Sequence, residues 1–235
     1  MADYYGDKMT RSELQEILCM LYLRLNGYLT TSLIVHSSIK NKNLTQVDII
    51  GVRFPFHNQQ ERNVNSSPYL KIPENTIDIV ICEVKGSSAG IQFNDPLKSN
   101  EQALELIFKW IGAITPKNYL DIKHKLKNLF SSNNIDHDNF PEVITQLGSS
   151  NVSIRAILFA PDRQAVRPNQ RYFVHGREIM AYIHQCVHGP DREYCSTHYD
   201  FDLWGPYYKD IIRWFKTRQD CKTFSELEVY VNSLS

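Results

Sequence analysis

Three charged residues stand where the surrounding sequence is apolar. Asp48 lies in the run TQVDIIGV, and Glu83 and Lys85 close the run IVICEVKG. An ionised side chain inside a buried strand is costly unless it is paired or holds a cation. Side chains alternate along a strand, so Glu83 and Lys85 share a face with Ile79 and Ile81. If the two runs are neighbouring strands, Asp48 lies beside Glu83, and two carboxylates and a lysine converge. Hard oxygen ligands of this kind suit Mg²⁺ or Mn²⁺. Such an ion polarises a phosphate and lowers the pKa of a bound water. Lys85 is then placed to orient that water or to stabilise developing negative charge. The alternative is a structural ion pair made of the same residues, although keeping three charges in a sheet core without a task tends to lose stability.

The elements that must position these residues read as follows. Thr10 and Glu13 form a capping box at the head of a helix over 11–26. Leu14, Ile17, Leu18, Leu21 and Leu25 make its apolar stripe, and Asn26-Gly27 ends it. Strands follow at 28–37, 45–54 and 77–85, the last nearly continuous in apolar residues, as a central strand buried on both faces should be. Asp78 opens that strand on the face opposite Glu83 and reads as a strand-edge residue. Pro55, Pro68 and Pro73 mark 55–75 as a long loop. Helices are expected at 98–113 and 117–130, loop at 131–150, a strand at 152–160 and a short edge strand at 171–174. Further helices are expected at 177–187, 206–218 and 223–233. This order predicts an α/β fold: a central mixed sheet of four to five strands flanked by helices, with a helical C-terminal part. Residues 1–190 would form the main domain and 191–235 a helical extension packed on it.

Asp48 in one apolar strand, followed by Glu83-Val84-Lys85 at the end of the next, resembles the PD-(D/E)xK, or restriction-endonuclease-like, nuclease superfamily. The first helix adds to the likeness, because Glu16 precedes Gly27-Tyr28 much as in Mrr-like restriction enzymes and archaeal Holliday-junction resolvases. The resemblance covers roughly residues 11–115, with VSIRAILFA and the helix after it as a fourth strand and helix. It implies a metal-dependent endonuclease in which Asp48 and Glu83 hold Mg²⁺ or Mn²⁺ together with the carbonyl of Val84. Lys85 would be the catalytic lysine and Glu16 an auxiliary acid. Glu13 competes for that last part but already has a capping task. Val47 stands where the family has proline. In some relatives the following helix carries Gln-x-x-x-Tyr; here Gln102 is followed by Leu106, so only Gln102 matches. The resemblance favours DNA over RNA as substrate and a restriction or antiphage-defence setting. It also implies a homodimer or a partner such as a helicase or sensor. The rival from another class is a non-catalytic scaffold or partner-binding module of the same fold.

Two basic groups could track a nucleic-acid backbone. Lys117, Lys123, His124, Lys125 and Lys127 lie along one expected helix, and Arg163, Arg167, Arg171 and Arg177 surround a loop. The bland reading of the lysines is a solvated helix face. His184, Cys186, His188, Cys195 and His198 crowd together and are weighed as zinc ligands, but their spacing matches no standard finger. The aromatic run YDFDLWGPYYKDIIRWF is read as a packing surface in preference to a base-stacking platform.

Composition removes other classes. Lys+Arg and Asp+Glu are both 26, which excludes a uniformly basic coat. Apolar residues at 42% provide enough material for a core and argue against wholesale disorder. No run nears the roughly 18 apolar residues of a membrane span, and the first residues lack a signal-peptide pattern. Five cysteines without Cys-x-x-Cys point away from a disulfide scaffold and towards a reducing, cytoplasmic setting. No Walker A, dinucleotide-binding or Gly-x-Ser-x-Gly motif occurs.

Overall fold

In the structure, a computed structural model, the described residues are 9–40, 42–58, 64–86, 90–132, 140–167, 170–187, 204–220 and 223–234. Helix α1 (Arg11–Leu25) begins as its sequence requires: the Thr10 hydroxyl accepts from the Glu13 amide, and the Glu13 carboxylate accepts from the Thr10 amide. Leu14, Leu18, Leu21 and Leu25 are buried along one side. Of the Asn26-Gly27 pair only Gly27 adopts a left-handed conformation, with φ +88°. Asn26 instead ties the turn, donating from its amide to the Tyr22 carbonyl and accepting from the Ser67 amide.

Strands β1 (Leu29–His36), β2 (Asn43–Arg53) and β3 (Ile77–Val84) form an antiparallel meander. Strand β5 (Ser150–Ala160) adds parallel to β3. Its other edge is shared by β4 (Glu142–Leu147), antiparallel, and by the two-residue β6 (Val174–His175), parallel. The result is a mixed sheet in the order β1-β2-β3-β5-β4, with β6 beside the end of β5. The sheet has six strands where four to five are expected.

Helices cover both faces. On one lie α1, α5 (Gly176–Val187), α6 (Lys209–Lys216) and α7 (Phe224–Asn232). On the other lie α2 (Asp95–Ser99), α3 (Glu101–Ile111) and α4 (Pro116–Ser131). Alternation in β3 serves both layers: Val80 and Cys82 join the first cluster, Ile79 and Ile81 the second. Within the aromatic run, Trp214 and Phe215 are buried in the first cluster, and Arg24 of α1 lies over the rings of Trp204 and Tyr208. Among the described residues no helix is long and apolar enough to cross a membrane. Cys19, Cys82 and Cys186 are buried.

Three expectations are corrected. The helix expected at 98–113 is two, because Asn100 leaves helical geometry and its side chain accepts from the Ala103 amide, starting α3 afresh. The stretch read as loop at 131–150 contains β4, whose short EVITQL run pairs with the start of β5 through a turn at Gly148 (φ +61°). Asp78 is not a strand-edge residue but is fully buried. It accepts from Nε and Nη2 of Arg155 at 2.9 and 2.5 Å and from the Tyr28 hydroxyl. Arg155 also donates to the Leu70 carbonyl, so both charges lie in the core fully partnered.

Candidate active site

Asp48 owes its position to an irregularity in β2. Thr31 pairs with Ile50 and Leu33 with Val47, so Asp48 and Ile49 together oppose the single residue Ser32. This is a β-bulge, a device that re-aims side chains. The regular β2–β3 ladder also stops there, its last pair being Ile49 and Cys82. The Asp48 carboxylate takes over from the ladder, and its Oδ2 accepts from the Val84 amide at 2.8 Å. Asp48 and the end of β3 are thereby joined.

Glu83 is 2% exposed. Its Oε1 accepts from Lys85 Nζ at 2.5 Å and its Oε2 from the Asn94 amide at 2.8 Å. Lys85 Nζ also donates to Asn94 Oδ1 at 2.8 Å. Asn94 is the residue before α2, and its side chain serves Lys85 instead of capping that helix. The Lys85 amide donates to the Phe159 carbonyl, which holds β3 against β5 one residue beyond the strand. Sequence reasoning missed Asn94, since the helix it precedes was expected to begin later. The usable signal was Asn-Asp-Pro, an N-cap followed by Pro in the first turn.

Glu16 approaches from α1. It is half-buried, and burial together with the charge of Asp48 pushes its carboxyl up to about 7. Burial also raises Asp48, against the Val84 hydrogen bond and the Lys85 charge, and raises Glu83, against its bonds to Lys85 and Asn94. The cluster therefore holds three carboxylates and one ammonium, with the charge of Asp48 acting on both Glu16 and Glu83. Glu13, held at the cap, has its carboxyl lowered by its bonds to Thr10.

Two more side chains face this end of the sheet. Gly86 follows Lys85, and a Cβ placed there would lie 3.7 Å from Gln15 Oε1 and 3.9 Å from both Gln15 Nε2 and Asp162 Oδ2. Gln15 is 4% exposed, yet its Nε2 has no hydrogen-bond partner among the described residues. Asp162 accepts from Arg11 at 2.9 Å, and Arg11 also pairs with Glu228 of α7. Neither Gln15 nor Asp162 stands out by pattern. Gln15 carries only the weak signal of a polar residue between apolar helix positions.

The remaining candidates are dispersed. Gln102 is exposed in the first turn of α3 and shares no hydrogen bond with Asp48, Glu83 or Lys85. Lys123 and Lys127 point to Glu101 at 3.8 and 4.0 Å, loose enough for solvent to screen them. Arg167 is exposed, and Arg163 is half-buried in the turn after β5. Arg171 is a correction: it is buried, not a phosphate fork. Its guanidinium donates to the carbonyls of Leu129, Phe130 and Ser132, closing the C-terminus of α4, and lies over the Phe93 ring. Burial pushes its pKa down to about 10.

Of the candidate zinc ligands, His188, Cys195 and His198 lie outside the described residues. Cys186 is buried, and His184 Nε2 lies 3.3 Å from the Arg218 carbonyl. Among the described residues no three His, Cys, Asp or Glu side chains are gathered so as to hold a metal ion by themselves. Asp48 and Glu83 together with main-chain oxygen remain a hard donor set of the class that Mg²⁺ and Mn²⁺ take. Burial is the first cause that raises each carboxyl, and the charge of Asp48 raises Glu16 and Glu83 further, a contribution that a cation beside Asp48 would offset. No family model, no curated protein and no solved structure matches this chain.

Proposed function

We propose that the chain is a metal-dependent nuclease that hydrolyses phosphodiester bonds, with DNA as the favoured substrate. The observation that carries this reading is the convergence of Asp48, Glu83, Lys85 and Glu16 where β2, β3 and α1 meet. The order helix, three-stranded meander, then a strand parallel to the third supports it as well, because it follows the order of the resemblance.

Asp48 and Glu83 would hold Mg²⁺ or Mn²⁺, with the Val84 carbonyl as a further ligand. A divalent ion there would supply Lewis-acid stabilisation to a phosphate and make water more acidic. Lys85, held by Glu83 and Asn94, keeps a positive charge fixed beside the reacting phosphate with little reorganisation. Glu16, with its carboxyl raised to about 7, can accept and return a proton near neutral pH. Two-strand cutting would call for a second copy or a partner protein such as a helicase or sensor. A restriction or antiphage-defence role rests on analogy with the superfamily.

One observation favours a second reading, a binding module that retains the fold without cleaving. Both oxygens of Glu83 are already occupied within the chain. The test is cleavage of supercoiled plasmid, linear duplex, single-stranded DNA and RNA with Mg²⁺, Mn²⁺ or EDTA. Metal-dependent cutting abolished in Asp48→Ala and Lys85→Ala is the expected result. A folded wild type that neither cuts nor binds Mn²⁺ would overturn the nuclease reading and leave the binding module.

A further inference from the structure

We infer that Asn94 is a phosphate-contacting residue: its side-chain oxygen holds the Lys85 ammonium, and its side-chain nitrogen donates to a non-bridging phosphate oxygen of the nucleic acid. The assignment rests on the nuclease reading and deepens it. Lys85 Nζ donates to Asn94 Oδ1 at 2.8 Å. An ammonium has donors only, so this bond fixes which end of the amide is oxygen and which is nitrogen. The Asn94 main-chain amide is fixed as well, donating to Glu83 Oε2 at 2.8 Å. Asparagine ahead of a helix normally turns its oxygen back to the first-turn amides, which stabilises the helix. Asn94 makes no such bond to α2. It forgoes that stabilisation for Lys85, a break of a local rule of the kind found at functional positions.

The side-chain nitrogen is left over. Asn94 is exposed, and its Nδ2 has no hydrogen-bond partner among the described residues. Its N–H groups belong to an amide pinned at its oxygen and at its main chain, one hydrogen bond away from the Lys85 ammonium. The adjoining acid, Asp95, is met by Lys98 at 2.8 Å. Ammonium and amide together offer donors to one ligand, and phosphate oxygens are acceptors only. The amide is neutral, so it attracts an anion without adding a cation for Asp48 and Glu83 to compete for. Hydrogen bonds to charged groups are the strong ones, and a donor already held in place loses little freedom in making one.

The test uses the full chain with Asn94→Ala, Asn94→Asp, Lys85→Ala and Asp48→Ala. Affinity for a fluorescent duplex DNA is read by anisotropy with Ca²⁺ over a range of salt, turnover of the same duplex with Mn²⁺, and Tm by calorimetry. Asn94→Ala should weaken Kd by about tenfold, the worth of a hydrogen bond to a charged group. It should leave the slope of log Kd against log salt unchanged, because the lost group is neutral, whereas Lys85→Ala should lower that slope by about 1. Its Tm should move by less than about 2 °C, since the side chain is exposed and caps nothing. Asn94→Asp keeps an oxygen for Lys85 and loses the donor, so it should weaken Kd at least as much while retaining more kcat than Asn94→Ala. Wild-type Kd in Asn94→Ala overturns the phosphate contact, and so does wild-type Kd in Asn94→Asp, which would leave Asn94 as a holder of Lys85 alone. A salt slope lowered by about 1 in Asn94→Ala overturns it too, because the loss would then run through a displaced lysine. So does a fall in Tm with every activity reduced together, the mark of a structural role. If wild type cuts, Asp48→Ala does not, and Asn94→Ala behaves as wild type, only the Asn94 assignment falls. If wild type neither binds nor cuts, the nuclease reading falls and takes the assignment with it. If it binds without cutting, the Kd and salt comparisons decide alone.

Discussion

Strand β3 carries a buried acid near each end, and the two are treated in opposite ways. Near its start, Asp78 meets Arg155 in a forked pair, with Tyr28 and the Leu70 carbonyl completing the set. One negative charge faces one positive charge. Burial lowers the Arg155 pKa, but the charge and hydrogen bonds of Asp78 outweigh it, so the guanidinium stays charged. Near the end of the strand, Glu83 shares one lysine with Asp48, whose charge also acts on Glu16, while the Nε2 of the neighbouring Gln15 has no partner among the described residues. The first cluster is closed and balanced, and nothing in it is left for a ligand. The second has more carboxylates than cations and one amide without a partner among the described residues, and that imbalance is what singles it out as the candidate site.

The comparison breaks first at Arg155. Arg155→Leu strands Asp78 in the core and should cost about 3–5 kcal/mol in urea unfolding. Replacing both partners by apolar residues of similar volume should restore much of that loss. A cost below about 1 kcal/mol for the single variant would mean that water reaches Asp78 and that the cluster is not closed.

The sequence made one of these clusters legible and hid the other, for a physical reason. Asp48 and Glu83-Val84-Lys85 were visible because acids interrupt apolar strands at a spacing that adjacent strands bring together. Asp78 also interrupts a strand, but its partner lies in β5, and the parallel register that sets Asp78 against Ser153, two residues from Arg155, follows from topology and not from local pattern. An arginine inside VSIRAILFA was the available signal. The helices were largely legible because caps such as Thr10–Glu13 act within one turn. The bulge at Asp48–Ile49 was not, because it depends on how β1 pairs. Strand β4 was missed because its EVITQL run is short and half-exposed and gains its place only from β5.

The site end breaks next, through activity and not through folding. Asp48→Asn keeps an oxygen that can accept from the Val84 amide and removes one charge from a crowded set. It should lower cleavage by about 10²–10³-fold while leaving stability equal or higher. Lys85→Ala should lose activity similarly but also stability, because Glu83 then keeps only the Asn94 amide. Parallel plasmid-nicking and urea titrations check both; equal destabilisation by Asp48→Asn and Lys85→Ala would erase the contrast between the clusters.

A smaller contrast separates Arg171 from the lysines of α4. Arg171→Met removes donors to three carbonyls at the end of α4 and should cost about 1–3 kcal/mol, with DNA affinity unchanged. Lys123→Ala with Lys127→Ala should leave stability within about 0.5 kcal/mol. If both lysines contact phosphates, it should also reduce the dependence of log Kd on log salt by about 2. Affinity loss in Arg171→Met without loss of stability would return Arg171 to the nucleic-acid surface.

The finest test is the pH dependence of Glu16, because it reads the charge imbalance directly. The Glu16 carboxyl is raised from 4.5 to about 7 in the folded chain, by burial first and by Asp48 second. The native state therefore binds that proton more tightly than the unfolded state. Its contribution to stability is complete below pH 4.5 and is lost as pH rises through about 7. Glu16→Gln removes this loss. The variant should match wild type near pH 4 and exceed it by about 1 kcal/mol at pH 8, a figure discounted for the half-exposed position of the side chain. Asp48→Asn should move the wild-type transition to lower pH, since it removes one cause of the shift while leaving the burial of Glu16 intact. A pH profile unchanged by Asp48→Asn would show that Glu16 and Asp48 do not feel each other, and the acidic end of β3 would then be a set of separate charges with no common ligand.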